Sequence, residues 1–201
     1  MPRPGRRDEM LEAAVALFSR KGYHGTTIRE ISDEVGIQSG SLYAHFSSKE
    51  DLLFEIVMQA ADQFMGSITP IADGPGPAAD RLKRAMAAHI AVVSSSPEAA
   101  TVFLHEWRAL TPERRAIVAD RRAEYERQLA RIIRQGVESG EFRPIDEGFT
   151  RLLVLSAVNW VYQWYRPGGP LGPDEVADRF HKIILRGIES DSESERGGEP
   201  A

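Results

Sequence analysis

The chain has 201 residues, of which 42% are hydrophobic and 27% charged, and a formal net charge of −5. This suits one large domain or two small ones with enough apolar mass for a core. Cysteine is absent, which excludes disulfides, thiolate zinc sites and a cysteine nucleophile. The longest strongly apolar stretch, Leu152 to Trp164, is too short to span a bilayer. Met1 to Arg7 is basic with no apolar run behind it. A soluble cytoplasmic protein is therefore expected. The negative charge is local: residues 189–201 hold five acids against Arg196, whereas residues 1–50 carry seven basic and seven acidic side chains. A nucleic-acid partner thus remains open.

The periodicity is helical nearly throughout. Leu11, Ala14, Val15 and Phe18 share one helix face, and Gly22 ends that helix behind Arg20 and Lys21. Thr27-Ile28-Arg29-Glu30 reads as a capping box opening a second helix, which Gly36 follows. A short third helix is expected over about Ser39–Phe46. A long fourth begins near Lys49 with Leu52, Leu53, Ile56, Val57, Ala60 and Phe64 on its apolar positions. Asp73-Gly74-Pro75-Gly76-Pro77 is a loop, not a phosphate cradle, because prolines remove donors and no Lys-Ser/Thr follows. Further helices are expected at 78–95, 97–110, 112–139, 146–166 and 173–189. The Ser/Glu/Gly-rich tail 191–201 is expected to be disordered. No strand alternation or internal repeat is apparent.

Val35-Gly36-Ile37 joins the second and third helices by a three-residue turn with central glycine, the helix-turn-helix spacing. Ile31, Val35, Ile37 and Leu42 can lock the crossing. The outward positions of the third helix, Ser39, Gly40, Ser41, Tyr43 and His45, are small or hydrogen-bonding, unlike the Glu/Lys mixture that merely solvates a helix. Small residues admit a helix into a groove, and Tyr43 and His45 can reach phosphate or a base edge. Taken bare, such a spacing is as often a plain three-helix subdomain.

Thr26-Thr27-Ile28-Arg29-Glu30-Ile31, Gly36-Ile37, Gly40-Ser41-Leu42-Tyr43-Ala44-His45-Phe46 and Ser48-Lys49-Glu50-Asp51-Leu52-Leu53 together resemble the DNA-binding domain of the TetR family over about residues 8–54. The resemblance implies an all-α fold: an N-terminal three-helix helix-turn-helix domain (1–50), a larger helical ligand-binding and dimerisation domain (51–190) and the acidic tail (191–201). It implies that Thr27 binds phosphate, with Thr26 in the same motif. It puts Ser39, Gly40, Ser41 and Tyr43 against DNA, and His45 and Lys49 on its backbone. Gln38 is the extra hydrogen-bonding reader, and Ala44 offers only apolar contact, for instance to a thymine methyl. Long polar readers are few, which favours shape readout. Arg3, Arg6 and Arg7 suit a minor groove or phosphates, or equally a solubilising end.

In the rear portion, Leu152 to Tyr165 is apolar on nearly all sides, so both a core and a partner chain must cover it. Leu153, Ala157, Trp160, Trp164, Phe180, Ile184 and Ile188 are the expected dimer contacts, giving a four-helix interface. A two-fold dimer places the recognition helices roughly 34–36 Å apart on a near-palindromic operator. A monomer with a wide core is the competing reading. Effector candidates are the polar and aromatic residues within apolar helices: Phe103, Glu106, Trp107, Tyr125, Asn159 and Gln163. Taken singly, each aromatic is better explained as core and each amide as a cap of backbone groups.

Phe142-Arg143-Pro144 and Trp164-Tyr165-Arg166-Pro167-Gly168-Gly169-Pro170-Leu171 resemble the TetR branch that answers to acyl-CoA thioesters in fatty-acid, steroid-ring or aromatic catabolism. That implies an apolar pocket for an acyl or ring group and arginines for the CoA phosphates. Arg108, Arg114, Arg115, Arg121, Arg122 and Arg127 are available, although Arg and Glu alternation on an exposed helix also serves solubility. The alternative effector is a lipophilic drug-like molecule controlling an efflux gene. No cofactor, metal or membrane partner is expected. The five histidines form no His-Glu-x-x-His pattern, and no Gly-x-Ser-x-Gly elbow occurs, so an enzyme is not expected.

Overall fold

The computed structural model describes residues 5–166 and 168–188, with side chains as far as Leu185. Its elements are α1 (Arg6–Lys21), α2 (Ile28–Val35), α3 (Ser39–Tyr43), α4 (Lys49–Ala72), α5 (Ala78–Ser95), α6 (Pro97–His105), a 3-10 turn (Glu106–Ala109), α7 (Pro112–Glu138), α8 (Glu147–Asn159), a second 3-10 turn (Trp160–Gln163) and α9 (Pro173–Ile188). No strand occurs among the described residues. The fold is all-α, as the periodicity requires. Arg3, the tail 191–201 and the side chain of Ile188 lie outside the described residues.

Three helix ends differ from expectation. α3 stops at Tyr43 rather than Phe46, because the amides of His45 and Phe46 both donate to Leu42 O at 3.0 Å and close the segment as a turn. The helix expected over 97–110 ends at His105 and continues as 3-10 turn, and Leu110 is extended (φ −68°, ψ 157°). Pro112 fixes the start of α7 just beyond, and a proline pushes the residue before it out of helical conformation. The helix expected over 146–166 likewise gives way to 3-10 turn at Trp160.

The contacts divide the chain into two compact units: Met1–Met65 with Ser95–Glu124, and Gly66–Ser94 with Tyr125–Ala201. By contacts, residues 95–124 thus group with the helix-turn-helix segment, whereas the sequence suggests a boundary after residue 50. In the first unit, Met10, Ala14, Leu17 and Phe18 of α1 are buried together with Ile31, Leu42, Phe46, Leu52 and Leu53. Each such large apolar side chain contributes about 1.5–3 kcal/mol on burial. Gly36 takes the left-handed conformation (φ 70°, ψ 37°) that ends α2, and Ile37 N–H donates to Ser32 O at 2.9 Å. This helix stop suits glycine and sets the angle at which α3 leaves.

In the second unit, Leu82, Met86, Ile90 and Val93 of α5 are buried with Leu129, Ile132 and Ile133 of α7, Val154 and Val158 of α8, and Val176 and Ala177 of α9. Gly136 has a packing reason: a β-carbon there would overlap the buried Phe142 ring. Phe142 N–H donates to Gly136 O at 2.9 Å, folding the chain back after α7.

Candidate nucleic-acid interface and effector residues

The cap of α2 orders one edge of the interface. Thr27 Oγ1 accepts the Glu30 N–H at 3.2 Å, and Glu30 Oε2 accepts the Thr27 N–H at 2.8 Å. Lys21 Nζ donates to Glu30 Oε1 at 2.7 Å. The hydrogen bond from Lys21, followed by those from Thr27, holds the Glu30 carboxyl down at about 2. Beyond the Gly36 turn, Leu42 points inward and is fully buried, whereas Gln38, Gly40, Ser41, Tyr43, Ala44 and His45 are exposed and Ser39 is half-buried. The Tyr43 ring is 53% exposed, far more than packing alone would leave an aromatic. A β-carbon at Gly40 would meet nothing within 4 Å, so the backbone faces open space there. The result is a short ridge of small and hydrogen-bonding groups that a duplex can approach closely.

Two residues expected at DNA have other roles. Thr26 is 1% exposed, and its hydroxyl donates to Gly22 O at 2.9 Å and Leu17 O at 3.3 Å. It builds the turn before α2 and presents nothing to phosphate. Lys49 is only half-buried, yet its ammonium donates to Tyr23 O at 2.8 Å and Thr26 O at 2.7 Å and lies 4.2 Å from the Tyr23 ring centroid. Its desolvation lowers the Lys49 pKa, with Glu30 opposing. Lys49 is a staple between that turn and α4 rather than a free phosphate clamp. Arg7, though exposed, pairs with Glu55 and lies 4.9 Å from the Phe46 ring centroid, and Arg6 pairs with Glu9 at 2.7 Å.

Sequence reasoning missed one partner of this turn. Glu106, expected in an effector pocket, instead accepts the Tyr23 N–H at Oε2, 2.8 Å away. Eighty-three positions separate the two residues, and no local spacing announces such a contact.

The effector candidates fall into two groups. In the first unit, Phe103 is buried and stacks on Phe64, with ring centroids 5.1 Å apart. The Arg122 guanidinium lies 4.9 Å from the Phe103 ring and 5.4 Å from the Trp107 ring. In the second unit, His89 joins two of the candidates. Its Nε2 faces Asn159 Oδ1 at 3.1 Å, and its Nδ1 faces the Tyr125 hydroxyl at 2.8 Å. Because the amide oxygen only accepts, Nε2 carries the proton and Nδ1 accepts from Tyr125. His89 is 4% exposed and Tyr125 7%, and burial pushes the Tyr125 phenol well above its usual range. Three helices, α5, α7 and α8, thus meet in one satisfied polar network within an apolar unit. Gln163 is exposed and takes no part in it. The sequence offers little sign of His89, since a lone histidine on an apolar helix face reads as core.

The outer side of α8 and α9 is a different kind of surface. Phe149, Leu152, Leu153, Trp160, Trp164 and Ile183 are all large, apolar and between 44% and 71% exposed. Leu153, Ala157, Phe180 and Ile184 line a groove of about 760 Å³ together with Phe149 and Ile183. Ile184 itself is 8% exposed and so belongs mainly to the protomer's own core. Phe180 is half-buried, with its ring 6.3 Å from that of Trp164.

No group of three or more His, Asp or Glu among the described residues is arranged to hold a metal ion. No helix there is long and apolar enough to cross a membrane. An all-helical chain whose helix-turn-helix leaves a small polar ridge exposed is a DNA-binding transcription regulator. The chain belongs to the TetR family. Residues 10–56 match the model for bacterial regulatory proteins of the tetR family, and residues 75–188 match that for the tetracyclin repressor-like C-terminal domain. The HTH-type transcriptional repressor KstR2 of Mycobacterium tuberculosis is 32% identical over 185 residues, 91% of this chain and 92% of that one. The crystal structure of PfmR from Thermus thermophilus, a TetR family transcriptional regulator, superposes with a TM-score of 0.82 at 34% identity, covering 90% of this chain and 99% of that one. The crystal structure of AibR in complex with isovaleryl coenzyme A and operator DNA gives 0.80 at 29% identity, covering 89% and 97%. These relatives are regulators and not enzymes, in keeping with the absence of catalytic motifs in the sequence.

Proposed function

We propose that this protein is a homodimeric repressor that occupies a near-palindromic operator in the cytoplasm and is released by a small hydrophobic effector, an acyl-CoA thioester. The observation that carries the DNA-binding part is the exposed ridge of Gln38, Gly40, Ser41, Tyr43 and His45, with Ser39 half-buried beside it, over a buried Leu42. Thr27 serves it from the start of α2, an exposed residue whose hydroxyl also accepts the Glu30 N–H and donates to Glu30 Oε2 at 2.9 Å. The outer α8–α9 region supports dimerisation: six large apolar side chains are left in water there, and three of them, Phe149, Leu153 and Ile183, line one apolar groove with Ala157 and Phe180. Leu153, Ala157, Trp160, Trp164 and Phe180 are its contacts, continued by Ile188. By domains, residues 1–50 read DNA, and residues 51–190 bind the effector and pair the subunits.

The effector reading is supported by the AibR complex, which holds isovaleryl coenzyme A and operator DNA together. Each unit holds polar groups within apolar surroundings that such a ligand could use: Trp107 beside Arg122 in the first, and Tyr125 and Asn159 around His89 in the second. An effector releases DNA only through its differential affinity for two conformations, and a hundredfold change in DNA affinity corresponds to about 2.7 kcal/mol of coupling. The test is direct. Fluorescence anisotropy with duplexes from the gene's own upstream region should show binding that weakens steeply with salt, and acyl-CoA thioesters should reverse it. Reversal by lipophilic cations instead would replace the acyl-CoA effector with a drug-like one.

A further inference from the structure

Among the described residues, Trp107 Nε1 is buried and has no hydrogen-bond acceptor. A buried donor left unmade costs its full desolvation, so native proteins seldom keep one without a use. Its surroundings specify what would satisfy it. The guanidinium groups of Arg108 and Arg122 lie 5.1 Å and 5.4 Å from the indole centroid, so the place favours an oxygen bearing negative charge. The Phe103 and Phe64 rings stand behind Arg122 and favour a hydrocarbon attached to that oxygen.

The neighbouring residue is the other half of the inference. Glu106 and Trp107 are consecutive in the four-residue 3-10 turn. Glu106 holds the Tyr23 N–H, and Lys49 holds the carbonyls of Tyr23 and Thr26, so the turn that launches α2 is gripped from two sides. Trp107 Nε1 is buried, so an acceptor reaches it only when its surroundings move, and the 3-10 turn that carries Trp107 is one part that can. Such turns have poorer hydrogen-bond geometry than an α-helix and yield first.

We propose that the Trp107 indole N–H is the seat of a carbonyl or carboxylate oxygen on the effector's apolar chain, and that seating it draws Glu106 off the Tyr23 amide and loosens the entry to α2. The site rests on the effector reading above; the Glu106 grip does not. On this proposal the oxygen is seated in the opened turn and not in the closed one, which is the differential affinity that release of DNA requires.

The test uses full-length protein with 15N-labelled indoles, the Trp107 signal being the one lost in Trp107→Phe. The probes are octanoyl-CoA, isovaleryl-CoA, octanoate and CoA. The acyl-CoAs are expected to move the Trp107 indole N–H downfield and to speed hydrogen exchange at residues 22–27. Trp107→Phe is expected to weaken their binding about tenfold, the size of one hydrogen bond, and CoA alone is expected to move nothing. A response to octanoate as well supports the same seat and assigns the oxygen to a free carboxylate. A probe that binds equally to Trp107→Phe and leaves the wild-type indole unmoved overturns the seat while keeping the effector reading. Failure of every acylated probe and of octanoate to bind overturns both. Independently of any ligand, Glu106→Ala, which removes the acceptor, is expected to speed exchange at residues 22–27 and leave exchange in α5 unchanged. Unchanged exchange at 22–27 overturns the grip.

Discussion

Two surfaces of this chain are exposed for opposite chemical reasons. The α3 ridge shows water Gln38, Gly40, Ser41, Ala44 and His45 beside the Tyr43 ring, and nearly everything apolar there points inward. The α8–α9 face shows water Phe149, Leu152, Leu153, Trp160 and Ile183. A polar ridge of small residues costs little to leave wet and gains from a charged, hydrated partner such as a duplex. A patch of bare aromatic and branched side chains gains only from apolar cover, and a second copy of the same patch provides it in a two-fold pair. On the proposed reading, the difference separates a surface for a partner that comes and goes from one for a partner that stays.

The largest effect should come from making the apolar face resemble the polar one. Leu153→Asp combined with Trp160→Glu changes two half-exposed positions, so the protomer should still fold, with unchanged far-UV circular dichroism. Sedimentation should show a monomer, and operator affinity should fall by about a hundredfold or more, because two linked heads bind far better than one. An unchanged dimer would mean that the pairing surface lies elsewhere. Tyr43→Ala works on the ridge alone. Each of two heads loses one hydrogen bond of about 1 kcal/mol, so operator affinity should drop about tenfold to a hundredfold with the dimer intact. Equal affinity in an anisotropy titration would remove Tyr43 from the interface.

Smaller effects sharpen the internal wiring of the head. Lys49→Met removes the ammonium that donates to Tyr23 O and Thr26 O. Urea unfolding should lose about 1.5–3 kcal/mol, the worth of a charged hydrogen bond and the carbonyl it leaves unpaired. A salt-sensitive change in DNA binding with no loss of stability would instead restore Lys49 as a phosphate contact. The smallest effect is acidic. The folded-state Glu30 carboxyl titrates at about 2, below its ordinary 4.5. It therefore supports the folded state fully above pH 4.5 and less as the pH falls from there toward 2. Glu30→Gln should flatten the stability slope in that window and lower neutral stability toward the level the wild-type protein reaches at acid pH. An identical slope in both proteins would mean that the Glu30 cap breaks before the head unfolds.

How legible each feature was follows from the range of the interactions behind it. α5 was readable to the residue because Pro77 precedes it and its apolar positions recur with helical period. The helix-turn-helix was readable because the Thr27 cap and the Gly36 stop are local chemistry. The end of α3 was not, since it depends on two amides converging on Leu42 O. The site was less legible still. Lys49 looked like a phosphate ligand from its motif, and only the fold brings it to carbonyls more than twenty positions away. His89 meets Tyr125 and Asn159 across 36 and 70 positions, and Glu106 meets Tyr23 across 83. Side-chain periodicity carries no information about pairs so far apart in the chain.

Sedimentation equilibrium of the wild-type protein with a duplex from its own upstream region, at low salt, tests the pairing of two heads most directly. Two chains per operator are predicted, with a dimer already present in free protein. One chain per duplex, or a free monomer that binds DNA just as tightly, would contradict it.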